Sequence, residues 1–469
     1  MIEKIKQAYM SDDVLKIEWI IFGLISFLAL FMFRYMDLDS LTYWTIYLLD
    51  VTFAGRPRDF FLQSYTNPFG AVHYPGGGVF PLVPWAIWNI PIWIGHRFFG
   101  LDVTTSILAF TWSNLFLVFC LAITAFYGYK IAYHMSNNKN KSMWVAFITS
   151  SSVLSFASVY YAGQNDIVAI AFSTIAIYYI FKKDNKKFLL FTALSIATTP
   201  FFAFPFLALI LLYEKNIFKI AYKGLFGISI FVLSNLVFVG APMFLEVSMA
   251  GGNPLNRVLF TMMYSGADFG FWHVPYFVFG FMVILFLCYA KKLEDDLEKY
   301  TIYTISVVYL VLLSFGSENA FYRFIYLVPF LPILVILNNR TAKINMIVVA
   351  VFSLFTMIIL LYYGGDNFMQ QRYMFREVVY LFNPNWWHGS RFTSLANLFM
   401  LDRVHWLFFS FFSSGILLAT LILLIYTHPF LSEKIPVPFE NEKCDRYIYW
   451  ANALIIVPFL LGMIAVTIL

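Results

Sequence analysis

Charge is scarce in this chain. Asp, Glu, Lys and Arg make up 12% of its 469 residues, about half the share of a soluble domain, which excludes an ordinary water-soluble fold. Cysteine is scarcer still. Cys120 and Cys288 fall in apolar runs and Cys444 in a polar tail segment; with no pairing pattern among them, a disulfide framework is excluded. No two histidines stand at metal-ligand spacing, so a zinc site is not expected. No phosphate-binding glycine loop lies between a strand and a helix, which removes nucleotide and nicotinamide binding. The net charge of +5 is spread over many short loops, with no basic patch interleaved with aromatics. Nucleic acid is therefore not an expected partner.

What the chain has in abundance is apolar surface: 61% of residues are hydrophobic. Runs near 17–33, 105–129, 143–161, 166–181, 224–244, 271–290, 301–316, 320–338, 344–363, 404–427 and 450–468 approach the ~20 residues needed to cross a bilayer core. The expected fold is an all-α polytopic integral membrane protein of about 11–13 transmembrane helices. The first run is not followed by a small-residue cleavage site, so it reads as a retained span and not a signal peptide.

Lysine orients these spans. Lys139/Lys141, Lys182/Lys183/Lys186/Lys187, Lys215/Lys219/Lys223 and Lys291/Lys292 mark the cytoplasmic side under the positive-inside rule. The N-terminus is then cytoplasmic. Segments 34–78, 163–166, 246–270, 316–319 and 366–403 fall outside, and all 19 lysines stay in or at the cytoplasmic ends. The outer segments carry arginine alone: Arg34, Arg56, Arg58, Arg257, Arg323, Arg372, Arg376, Arg391 and Arg403. Arginine forms bidentate bonds to phosphate and carboxylate, so this bias suits a surface that handles anions.

Two segments resist simple counting. Residues 188–212 lie between two lysine clusters and must return to the side they left; Thr198-Thr199-Pro200 and Pro205 suit two half-helices meeting at a break. Residues 79–104, with Pro81, Pro84, Pro91, Trp85, Trp88 and Trp93, read as an interfacial, re-entrant or hairpin segment.

Polar residues concentrate at four places. Asp37-Leu38-Asp39-Ser40 follows the first span. The aromatic stretch 41–53 after it reads as an interfacial helix capped by Asp39 or Ser40. A carboxylate there is either a cap or a general base for a hydroxyl, with Asp50 further along as a structural or substrate-orienting group. His73-Tyr74-Pro75-Gly76 closes the loop and reads as a turn, with His73 either a satisfied polar residue or a ligand. Gly163-Gln164-Asn165-Asp166 opens a later span, with Asn165 as cap and Gln164 and Asp166 as recognition groups. Arg323 stands about one turn inside an apolar run, either snorkelling or binding an anion.

This ordered set resembles the GT-C superfamily, multispanning glycosyltransferases that use polyprenyl-phosphate sugars, in its bacterial and mannosyltransferase-like branch. An acid after the first span is matched by Asp39 or Asp37, a Tyr-Pro-Pro-Gly loop end by Tyr74-Pro75-Gly76, and a Gly-Gln-x-Asp motif by Gly163 to Asp166. The late basic element is matched by Arg323. His73 replaces a common acid, the second proline is missing, and Thr198-Thr199-Pro200 stands where a lysine is usual.

The resemblance implies a single membrane domain. Residues 17–244 would form the shared module, including the outer loop 34–78 with its interfacial helices. Residues 245–469 would form variable C-terminal helices with an outer loop at 364–403. It further implies an inverting hexosyltransferase at the extracytoplasmic face of the cell membrane, taking its sugar from a lipid donor to a glycolipid or surface polymer. Asp39, with Asp37 as alternative, would be the base. Arg323 and Arg257 would hold the donor phosphate, and Asp50, His73, Tyr74, Gln164 and Asp166 would bind substrate. No cofactor is required; Asp37 and Asp39 could hold a divalent metal, but nothing demands one. The rival readings are a flippase or transporter of lipid-linked glycan and a surface-polysaccharide polymerase or ligase.

Overall fold

In the computed structural model, residues 13–32, 36–65, 79–241, 244, 266–269, 272–292, 296–315, 321–363, 401–442, 444–454 and 457 are described. The apolar runs fold as helices. The N-terminal half comprises α1 (Lys16–Met32), α2 (Met36–Phe53), a 3-10 segment (Pro57–Tyr65), α3 (Leu82–Trp88), α4 (Ile90–Phe99), α5 (Ile107–Ser136) and α6 (Lys139–Ser151). After α6 a short helix (Val153–Phe156) and a π turn (Ala157–Tyr161) carry the chain on to α7 (Asp166–Phe181), α8 (Asn185–Thr198), α9 (Ala203–Tyr213) and α10 (Ile217–Leu236). The C-terminal half holds α11 (Tyr276–Ala290), α12 (Leu297–Phe315), α13 (Phe330–Leu337), α14 (Ala342–Tyr363), α15 (Leu401–Tyr426) and α16 (Arg446–Leu454). One antiparallel ribbon, β1 (Gly266–Phe269) with β2 (Trp272–Pro275), interrupts the helices in the register Phe269 to Trp272. The all-α expectation did not include it.

Short polar residues set the turns. Asn137 adopts the left-handed conformation (φ 48°) that ends α5, and the Asn138 side chain accepts from the Lys141 amide at 3.0 Å to start α6. Two asparagines thus reverse the chain between two long helices, each supplying one of the cap geometries that asparagine favours. Asp184 and Asn216 start α8 and α10 in the same way.

Five helical segments are long and apolar enough to cross a bilayer: Ile107–Ser136, Lys139–Tyr161, Ile217–Leu236, Leu297–Phe315 and Ala342–Ile359. Four shorter ones are equally apolar. The protein is therefore an all-α membrane protein in its broad class, with fewer full-length spans among the described residues than the 11–13 expected. Proline accounts for part of the difference. Thr199, preceding Pro200, is extended (φ −151°, ψ 127°), as the proline ring requires of its neighbour, and splits 188–212 into α8 and α9. Pro329 likewise divides 320–338 into a 3-10 helix (Phe321–Leu327) and the eight-residue α13. At ~1.5 Å per residue, neither α3 nor α4 alone reaches across a membrane.

Burial separates inner helices from outer ones. The Lys139–Tyr161 segment is 94% buried and α10 only 11%, so α6 forms the centre and α10 offers its side chains to the surroundings. The stretch 41–53 is helical, as expected, and packs largely inside the protein. α2 starts earlier, at Met36, and most of its residues from Leu38 to Val51 are buried. Asp39 and Ser40 consequently lie within the helix and do not cap it. Burial of its polar positions is tolerated because Thr42 donates to the Leu38 carbonyl (2.7 Å) and Thr45 to the Thr42 carbonyl (2.8 Å).

At the lysine-rich end, residues 427–442 pack against the α13–α14 turn. Arg340 donates to Glu440 (2.7 Å) and to the carbonyls of Ser432 and Ile435. Beside it, Glu18 of α1 accepts from Arg446 (2.8 Å) and Trp450 (2.7 Å) of α16. Both members of that ion pair are buried, so it joins the first described helix to the last.

Candidate functional site

Four departures from regular α-helix meet in the interior. The first is the π turn at the end of the α6 segment, closed by Ala162 N to the Ala157 carbonyl at 2.9 Å. The second is Gly163, left-handed at φ 56°. The third is the 3-10 turn Pro200–Phe202 at the α8–α9 break. The fourth is the 3-10 helix Phe321–Leu327, which packs on the π turn and on α7.

Gly163 is required on two counts. A side chain there would strain the backbone, and its Cβ would lie 2.9 Å from Leu38 Cβ. This contact pins the start of α2 against the loop 162–165 and puts Asp39, one residue on, beside it in the chain. The same loop is held by Trp85 of α3, whose indole donates to Asn165 Oδ1 at 2.6 Å. Asn165 therefore does not cap α7 with its side chain; its oxygen is taken by the tryptophan.

Asp166 opens α7, where a carboxylate suits the helix dipole, and is buried. It accepts from the Tyr326 hydroxyl at 2.5 Å. Tyr326 follows Arg323 by three residues in a 3-10 helix, where positions i and i+3 eclipse. Both therefore meet Phe201: the Arg323 guanidinium lies 5.4 Å from its ring centre and the Tyr326 ring 5.2 Å. Tyr309 of α12 completes the wall, 5.2 Å from Tyr326. Buried hydroxyls of Ser40, Ser158 and Tyr309 have no hydrogen-bond partner among the described residues.

The residues singled out from the sequence fall into three groups. Asp166 and Arg323 come together through Tyr326 and Phe201; Gln164, two residues before Asp166, donates to the Ala162 carbonyl at 3.2 Å, and Asp39, 1% exposed, lies on the helix whose Leu38 meets Gly163. Asp50 does not join them; it accepts from the Trp93 indole at 2.8 Å and ties α2 to α4. His73, Tyr74 and Arg257, and the side chain of Asp37, lie outside the described residues. Tyr326, Phe201, Trp85 and Tyr309 were not singled out from the sequence. Arg323-x-x-Tyr326 becomes a signal only once the segment is known to be 3-10, since i and i+3 are merely neighbours on an α-helix.

Further bonds stiffen the frame behind Asp39. Asn89 donates to Thr45 Oγ1 at 2.8 Å and accepts from Ser113 at 3.1 Å. Trp88 and Trp112 each donate to the other's carbonyl at 2.9 Å. Among the described residues no three His, Cys, Asp or Glu side chains cluster in a way that could hold a metal. No family model, curated protein or solved structure matches the chain.

Proposed function

We propose that the protein is a membrane glycosyltransferase that moves a monosaccharide from a polyprenyl-phosphate donor to a hydroxyl of a glycolipid or surface glycan. The observation that carries this reading is the convergence of Asp166, Arg323 and Tyr326 with the start of α2, which bears Asp39, around irregular backbone inside an apolar chain. Non-helical backbone at membrane depth persists only where protein or a polar cavity satisfies it, and ionisable groups there are functional by default.

In this mechanism Asp39 takes the proton of the acceptor hydroxyl. The oxygen attacks C1 of the sugar as the C1–O bond to phosphate breaks, and polyprenyl phosphate leaves with the electron pair. Arg323 meets the charge that develops on that phosphate, a contribution of about 3 kcal/mol for a well-placed donor. Asp166, oriented by Tyr326, and Gln164 hold sugar hydroxyls. The buried hydroxyls of Ser40, Ser158 and Tyr309 are further groups for a bound sugar to satisfy. On the lysine map this chemistry faces the extracytoplasmic side.

The test supplies purified protein with radiolabelled polyprenyl-phosphate mannose and a membrane glycolipid extract. Transfer of single sugars is expected, lost in Asp39→Asn and reduced on the order of 100-fold or more in Arg323→Ala. Movement of intact lipid between leaflets without transfer would sink the enzyme reading in favour of a flippase. Undiminished transfer in Asp39→Asn would sink the assignment of the base.

A further inference from the structure

The lysine-rich end carries a second polar feature, lined by residues other than those of the proposed site. A cavity of about 820 Å³ opens between the α5–α6 turn, the start of α12, the α13–α14 turn and the segment after α15. A smaller one of about 330 Å³ adjoins it. Asn138, Lys141, Asn339 and Asn441 line both, so the two form one recess with Lys141 at the junction.

The charges around this recess are nearly all committed. Lys299 pairs with Asp296 at 2.9 Å, and Glu298 with His134 at 3.0 Å. Arg340 is taken by Glu440 and two carbonyls, and Glu442 by Lys343 at 2.6 Å. Arg446 is bound to Glu18. Glu433 is exposed and stays solvated. Lys141 differs: it is half-buried, and among the described residues no carboxylate lies within ion-pair distance. Its ammonium donates to the side-chain oxygen of Asn339 alone. A partly buried cation facing a neutral amide lacks the counter-charge that burial calls for.

The neighbouring amides sharpen the chemistry. Asn138 spends its side-chain oxygen on the Lys141 backbone N–H and Asn339 spends its own on the Lys141 ammonium. Each is left with its NH2 group, which only donates. One ammonium and two amide donors at the junction form a receptor for an oxyanion. Lysine binds phosphate as a point charge, and the volume exceeds what inorganic phosphate alone would fill.

We infer that this recess binds the phosphate group of a phosphorylated small molecule or phospholipid headgroup, with Lys141 as anchor and the Asn138 and Asn339 amides as donors. This assignment is independent of the proposed sugar transfer. On the lysine map the recess faces the cytoplasm.

The probes are glycerol 3-phosphate added to full-length protein in detergent, and phosphatidic acid mixed into phosphatidylcholine nanodiscs holding the same protein. Binding is read by calorimetry for the first and by native mass spectrometry for the second. Saturable binding is expected for at least one. Saturation by glycerol 3-phosphate assigns a soluble ligand; saturation by phosphatidic acid alone assigns a lipid headgroup. Lys141→Met is expected to weaken binding at least tenfold and Lys141→Arg to keep most of it. Asn339→Asp places a carboxylate against Lys141 and is expected to weaken binding as strongly; because Asn339 is exposed, this variant decides the matter if Lys141→Met fails to fold. Absence of saturable binding by either probe, or wild-type affinity in Asn339→Asp or in a folded Lys141→Met, overturns the assignment.

Discussion

Replacing Gly163 by alanine tests whether the start of α2 and the loop before α7 form one unit. Two penalties act together. The left-handed backbone (φ 56°) costs an L-residue about 1–2 kcal/mol. The added methyl would sit 2.9 Å from Leu38 Cβ, and Leu38 is buried at 1% exposure, so it has little room to retreat; overpacking of this kind costs about 1–3 kcal/mol. The sum, roughly 2–5 kcal/mol, is a large part of a typical stability margin. Gly100 supplies the control. It is left-handed too (φ 70°), but nothing lies within 4 Å of a Cβ built there, so Gly100→Ala carries the backbone penalty alone. Reversible unfolding in mixed micelles measures both. Gly163→Ala is expected to lose about 1–3 kcal/mol more than Gly100→Ala. Any shift of Leu38 moves Asp39 with it, and a displacement near 1 Å costs on the order of 100-fold in rate, so transfer should fall in Gly163→Ala and persist in Gly100→Ala. Equal costs within about 0.5 kcal/mol would show that Leu38 and Gly163 do not touch, and the placement of Asp39 beside the loop would fall with that contact.

Three further outcomes are expected. Tyr326→Phe removes the donor from the buried Asp166 carboxylate, so it should cost about 1–3 kcal/mol and lower transfer; unchanged unfolding would mean the bond does not form. Arg446→Ala strands Glu18, 2% exposed, and should cost about 3–5 kcal/mol, whereas the double change Glu18→Gln with Arg446→Met should cost less; if the double variant is the weaker, the pair stabilises beyond mere compensation. His428 accepts from the N–H groups of Phe430 and Leu431 at 3.1 Å, which needs its ring neutral, and burial, with nearby Lys291, holds its pKa below the ordinary value. A depressed histidine pKa contributes stability that is full above the unfolded value of about 6.5 and is lost as pH falls below it. Melting between pH 8 and 5 should show this acid-side loss, and His428→Asn, which keeps an acceptor but does not titrate, should remove it.

The helical membrane class of the fold was legible because long apolar runs are a feature of composition. The α7 start was placed at Asp166 and the helix break in 188–212 within Thr198-Thr199-Pro200, while Pro205, offered with them, lies inside α9. What escaped depended on partners distant in the chain. The 41–53 stretch alternates threonine and tyrosine with leucine and so looks interfacial; its burial follows from hydroxyls bonding back to its own carbonyls and from Asn89 and Trp93 reaching it from 44 and 43 residues away. Asn165 looks like a cap until Trp85 claims its oxygen. The ribbon was missed because its first strand fell in the outer segment 246–270 and its second was taken as the start of the apolar run 271–290.

The candidate site is marked less by its charges than by its helix breakers. Gly163, Pro200 and Pro329 each stop or distort a helix in a chain whose interior otherwise satisfies its backbone through regular i to i+4 bonds. Each break frees backbone groups, and an unmet one inside an apolar protein costs about 1–3 kcal/mol, so three unrelated breaks would ordinarily be dispersed or confined to the ends. Here they bring side chains within a few residues of each break into contact. Asp166 stands three residues after Gly163, Phe201 directly after Pro200, and Tyr326 three before Pro329, and Tyr326 touches both of the others. A 3-10 turn eclipses Arg323 over Tyr326, and a left-handed glycine lets Leu38 close on the loop. The irregular backbone thus has a structural reason that the packing of helices alone does not supply: it brings Asp166, Phe201, Arg323 and Tyr326 from three separate segments into one place.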